Sequence, residues 1–216
     1  MPTGASQQIV RVSTGFLNRV NDPIIGSSST LMGPGLSRFA GMIGATVILG
    51  PNEVQYDSNI GTLYGGVYQY VRFAPAGTYP RGSTLFWDLS VAENLYQVTS
   101  VEAASGAKLL AGVSINPTAG AYAITPGNYG YICVGGKVAV QFRAVLTGVP
   151  SVGVAVYAAG AGAGADNAEA DVLNNAAPAT LGDAALLDAR FLGWAETAPA
   201  NNTISNVWLG FTRRRY

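Results

Sequence analysis

The sequence predicts an all-β fold, a β-sandwich or barrel of jelly-roll-like form with an extended N-terminal arm. Short runs rich in β-branched and aromatic residues recur along the chain, and Gly, Pro, Asn and Ser separate them at close intervals. Long stretches of helical period are missing, so strands stacked around one core are the simplest architecture.

Residues 1–50 read as the arm. Gly26-Ser27-Ser28-Ser29-Thr30 and Gly33-Pro34-Gly35 interrupt this region too often for a long helix, leaving Ile9 to Val12 and Thr46 to Leu49 as short extended pieces. A boundary near Gly50-Pro51 separates the arm from a β domain over residues 51–216. In that domain Gly65 to Phe73 is the first strong strand, dense in Tyr and Val, and Ala74-Pro75-Ala76-Gly77 stops it. Leu85 to Asp88, Leu95 to Val101 and Ala111 to Ile115 follow as shorter strands.

Tyr129 to Val134, then Gly135-Gly136, then Lys137 to Leu146 reads as a tight hairpin, because two glycines supply the positive φ angles of a two-residue turn. In its second half Val138, Val140 and Phe142 share one face, with Lys137, Gln141 and Arg143 on the other. A last strand alternates Val207, Leu209 and Phe211 with Asn206, Trp208, Gly210 and Thr212. Leu181 to Phe191 fits a short helix or an irregular segment, and its length does not decide between them.

Composition narrows the function classes. Apolar residues make up 49% of the chain and charged residues 11%, against roughly 25% charged in an ordinary soluble domain. A surface so poor in charge points to assembly, where much of it lies against partners. Twelve Lys and Arg balance twelve Asp and Glu, so no global field gathers nucleic acid. No apolar run reaches the ~18 residues of a membrane span, and the start MPTGASQQIVRVSTG lacks a signal-peptide pattern, so neither membrane nor export is expected. Cys133, the single cysteine, lies in an apolar run and reads as a small buried hydrophobe.

The chain contains no histidine, which removes the commonest general base and most zinc sites. Acidic pairs exist at Asp88 and Glu93 and at Asp183 and Asp188, and amines at Lys108 and Lys137, but none stands in a catalytic pattern. Lys137 reads as a solvated charge at a strand edge. Gly160 to Gly164 lacks the later glycine of a dinucleotide loop, since Ala165 stands there, and reads as a flexible connection. Asp166, Glu169 and Asp171 do not have the spacing of an EF-hand and read as a solvated acidic loop. No catalytic, cofactor or metal site is therefore expected, and the chain is not expected to be an enzyme.

Pro126-Gly127-Asn128-Tyr129-Gly130-Tyr131, Gly135 to Val140, Ala158-Ala159-Gly160-Ala161-Gly162, Phe191 to Glu196 and Val207-Trp208-Leu209 together resemble segments of tailed-bacteriophage capsid cement or decoration proteins. The resemblance spans residues 126–216 and does not extend to the N-terminal half. It implies a head-stabilising virion protein, made in the cytoplasm of a bacterial host and placed on the capsid surface. Its partners would be the major capsid protein and further copies of itself, a trimer among the options. It brings no catalytic residues. Tyr64, Tyr68, Tyr70, Tyr129, Trp208, Arg213, Arg214, Arg215 and Tyr216 are the candidate interface residues, with core packing the alternative for the aromatics. The alternative function is a head-fibre or tail protein that binds a host-surface glycan through exposed aromatics.

Overall fold

A computed structural model describes residues 44, 46–57, 61–75, 77–88, 96–100, 109–115, 124, 126–158, 170–172 and 190–210. The predicted all-β class is correct: these residues form one sheet of ten strands. In chain order they are β1 (Thr46–Asp57), β2 (Gly61–Phe73), β3 (Thr84–Trp87), β4 (Gln97–Thr99), β5 (Leu110–Ser114), β6 (Tyr129–Gln141), β7 (Ala155–Ala158), β8 (Ala170–Val172), β9 (Phe191–Ala195) and β10 (Ile204–Leu209).

The sheet closes on itself twice. β2, β4, β3, β5 and β6 pair in sequence and β6 returns to β2, making a first ring with one parallel contact, β2 to β4. β6, β10, β9, β7 and β8 make a second ring, completed where Phe142, the residue after β6, bridges Ala170 at the start of β8. Closure removes the free edges that make open sheets prone to pairing with other chains. β1 lies outside both rings, antiparallel to β2.

Two cores follow from strand alternation. Val71, Phe73, Leu85, Trp87, Val98, Ala111, Ile132 and Val134 cluster with Tyr79 and Ile124 as one core of the first ring. On the opposite face of those strands, Tyr68, Tyr70, Phe86, Leu110, Val113, Tyr131 and Cys133 join Val138, Val140, Phe142, Val156, Leu192 and Val207 in a second core. β3 and β5 are therefore buried on both faces.

The hairpin read at Gly135-Gly136 does not form. β6 runs unbroken from Tyr129 to Gln141 through both glycines. A primed two-residue turn needs positive φ at its first central residue, and only the second, Gly136, has it, at 93°. Instead the pair hosts a β-bulge: Val67 opposes Gly135 while Tyr68 opposes Cys133, leaving Val134 extra. The bulge switches parity, so odd residues Tyr131 and Cys133 and even residues Val138 and Val140 face the same core. Glycine is required there because a Cβ on Gly136 would stand 2.5 Å from both Gly65 O and Gly66 Cα.

The alternation of Val138, Val140 and Phe142 against Lys137 and Gln141 is as predicted, with the first three buried. The boundary placed at Gly50-Pro51 falls within β1, which crosses it. There the register slips between Leu49 and Val54, where proline cannot donate to the ladder. Residues 1–43, with Ile9 to Val12, lie outside the described residues, as does Leu181 to Phe191 apart from its last two positions. Of these Phe191 opens β9.

Candidate interaction surface

The outward face of the second ring is built by β6, β10, β9 and β7. Register places Lys137 beside Trp208 and Trp208 beside Trp194, and in the next row Ala139 beside Asn206. Glu196, just beyond β9, continues that row, donating its backbone N–H to Asn206 O at 2.9 Å. Val207, Leu209 and Ala195 point into the core, so alternation turns Trp194 and Trp208 outward, 52% and 44% exposed, with Ile204 at 51%.

The aromatic strip continues across the sheet. Phe191 meets Trp194 edge-on at 5.2 Å between ring centroids, and Tyr157 on β7 meets Phe191 at 5.5 Å, geometries that the ring quadrupoles favour. Beside the strip lies a fixed polar group. Lys137 Nζ donates to Glu196 Oε1 at 2.7 Å, and Asn206 Nδ2 donates to Glu196 Oε2 at 3.1 Å. The same ammonium sits 4.4 Å from the centroid of the Tyr64 ring. Lys137 is thus a half-buried, doubly engaged cation, where the sequence suggested a free strand-edge charge.

A second exposed feature is the loop from Arg143 to Val154, which presents Val145, Val149 and Val152 at 66%, 80% and 72% exposure. Its base is held by Asp171, a buried carboxylate on β8. Arg143 Nη1 and Thr147 Oγ1 donate to Asp171 Oδ2, and the N–H groups of Thr147 and Val172 donate to Oδ1. Leu146 N–H donates to Asn201 Oδ1 and Asn202 N–H to Arg143 O, tying the loop to the β9–β10 turn. Asp171 is therefore a structural clamp and not part of a solvated acidic loop; Asp166 and Glu169 lie outside the described residues.

The structure separates the candidate interface residues. Trp208 is on the surface, Tyr64 is half-buried under Lys137, and Tyr129 is half-buried and stacked on Tyr70 at 6.2 Å. Tyr68 and Tyr70 are corrections: both are buried, because the face of β2 that carries them is covered by the second core. Burial pushes the Tyr68 phenol above its ordinary range, and its hydroxyl donates to Tyr64 O at 2.6 Å. Arg213, Arg214, Arg215 and Tyr216 lie outside the described residues.

Cys133 is buried as expected, and burial pushes its thiol up to about 12. Asp88 is buried and accepts from Gln97 Nε2 at 2.8 Å; Glu93, Asp183, Asp188 and Lys108 lie outside the described residues. Among the described residues no helix is long and apolar enough to cross a membrane. Sequence reasoning did not propose Trp194, Ile204 or the three valines as surface residues. The period-two pattern around Ala195 and Val207 carried the signal for Trp194 and Ile204, whereas only the loop's anchoring reveals the valines.

No family model matches this chain, and no curated protein matches it either.

Proposed function

We propose that this chain is a structural virion protein that binds the outer surface of a bacteriophage head and cements neighbouring major capsid subunits against internal genome pressure. The observation that carries the reading is the anchored valine loop. Three exposed valines stand on a segment whose base is pinned by a buried carboxylate, so docking them costs little further ordering entropy. From Ala144 to Ala165 the chain has no charged residue, which suits an apolar seat on a partner protein.

Two further observations support it. Charged residues form 11% of the chain, as suits a surface covered by neighbours. Doubly closed sheets make a stiff body, and a clip between subunits transmits load only if it does not yield itself. In this reading the chain acts without chemistry, as repeated copies whose modest contacts add up over the shell. The test is to add the purified full chain to expanded heads lacking it and measure the temperature at which they release their genome. A rise on saturation is expected; unchanged release with no co-sedimentation rejects the proposal.

A further inference from the structure

We propose that the outward face of β6, β10 and β9 binds a neutral saccharide. Trp194 and Trp208 would serve as the stacking platform, with Glu196, Asn206 and Lys137 as its hydrogen-bonding border. The proposal does not depend on the valine loop; of the candidate interface residues it takes up Trp208, and it gives the glycan-binding alternative a defined site.

The platform comes first. Trp194 and Trp208 are register partners on adjacent strands, so their Cβ atoms stand about 5 Å apart on the same outward face. Both remain about half exposed even though Phe191 and Tyr157 prop one end of the strip. An indole face presents a flat, electron-rich surface, and the axial C–H groups of a pyranose are its natural counterpart. Such stacking immobilises few rotors, since each Trp has two side-chain torsions.

The border selects the ligand class. Glu196 accepts one hydrogen bond at each carboxylate oxygen, from Lys137 and from Asn206, and each oxygen keeps a further acceptor site. Asn206 adds a carbonyl acceptor, and Lys137 has protons beyond the one used on Glu196. Donors and acceptors fixed beside a flat apolar surface match a sugar, whose hydroxyls both donate and accept.

Charge narrows it further. Lys137 and Glu196 are the ionic groups of these register rows, and they neutralise each other at 2.7 Å. Among the described residues of these rows no cation is left unpaired for a phosphorylated or strongly acidic ligand. A protein partner would ordinarily be met by a centre depleted of charge with ions at the rim, whereas here the ion pair abuts the indoles.

The experiment is calorimetric titration of the full chain with cellohexaose, maltohexaose and chitohexaose, beside the variants W194A, W208A, W208F and E196Q. Saturable binding of at least one hexasaccharide is expected, weakened about tenfold or more in W194A and W208A. W208F should keep most of the affinity, and E196Q should lose part of it without a change in melting temperature. Absence of heat with all three sugars overturns the proposal, as does binding that persists unchanged in both alanine variants. Attachment to heads is expected to survive in the W194A/W208A double variant. Loss of attachment, with no sugar bound by the parent, would make this face a protein interface and overturn the saccharide assignment.

Discussion

Asp171 Oδ2 accepts from Arg143 Nη1 at 3.0 Å, joining β8 to the second residue after β6, next to the Phe142–Ala170 bridge that closes the second ring. The carboxylate is buried, while the guanidinium is partly open to solvent. Asp171 therefore depends on its donors more than Arg143 depends on it. Replacing Asp171 by Ala should destabilise the fold by about 2–4 kcal/mol, since several hydrogen bonds to one buried charge vanish together. Chemical denaturation followed by tryptophan fluorescence measures this. A loss within about 0.5 kcal/mol would mean that the clamp does not hold the loop.

The two central glycines of β6 should respond differently. Gly136 has φ of 93° and no room for a Cβ, so G136A should cost about 2–4 kcal/mol. Gly135 has room, its nearest neighbour a Val67 methyl at 3.7 Å, so G135A should cost less than about 1 kcal/mol. Thermal melts of the two variants give the comparison, and equal losses would contradict the bulge.

Burial of Cys133 gives a pH signature. Its thiol is pushed up to about 12 from 9.0, so the folded state holds the proton that the unfolded state releases. The stability this contributes is fully present below about pH 9 and is lost as pH rises toward 12. Parallel titrations of the protein and of C133A should diverge above pH 9, with the parent falling more steeply. In the native state at neutral pH a thiol reagent should label Cys133 only as fast as the protein opens.

The valine loop can be tested apart from the fold. Changing Val145, Val149 and Val152 together to Ser should shift stability by no more than about 0.5 kcal/mol per site, because each is exposed. Attachment to heads should weaken about tenfold or more, read by co-sedimentation. Full attachment in this triple variant would move the docking site elsewhere.

Much of the fold was legible because period two is a local signal. Val138, Val140 and Phe142 declared their buried face through alternation with Lys137 and Gln141, and the end of β2 was marked by Pro75. Gly135-Gly136 misled because a glycine pair has two uses, turning a chain or letting two backbones approach. Only the position of Gly65-Gly66 across the sheet selects the second. Tyr68 and Tyr70 were ambiguous for a similar reason: one strand cannot say whether another layer covers its second face. Trp208 was legible as outward-facing and the alternation around Ala195 carried the same signal for Trp194, but that the two are neighbours depends on the pairing of β9 with β10, a long-range fact.

A single thirteen-residue strand, β6, is a member of both rings. Neither half of the protein is thus an independent module: a chain ending before Tyr129 leaves the first ring open, and one beginning after Gln141 has nothing on which to wind the second. During synthesis the first ring can shut as soon as β6 leaves the ribosome, whereas the second must wait for β7 to β10. Loosening of either half is felt by the other through this common stave, so unfolding should occur as one cooperative event.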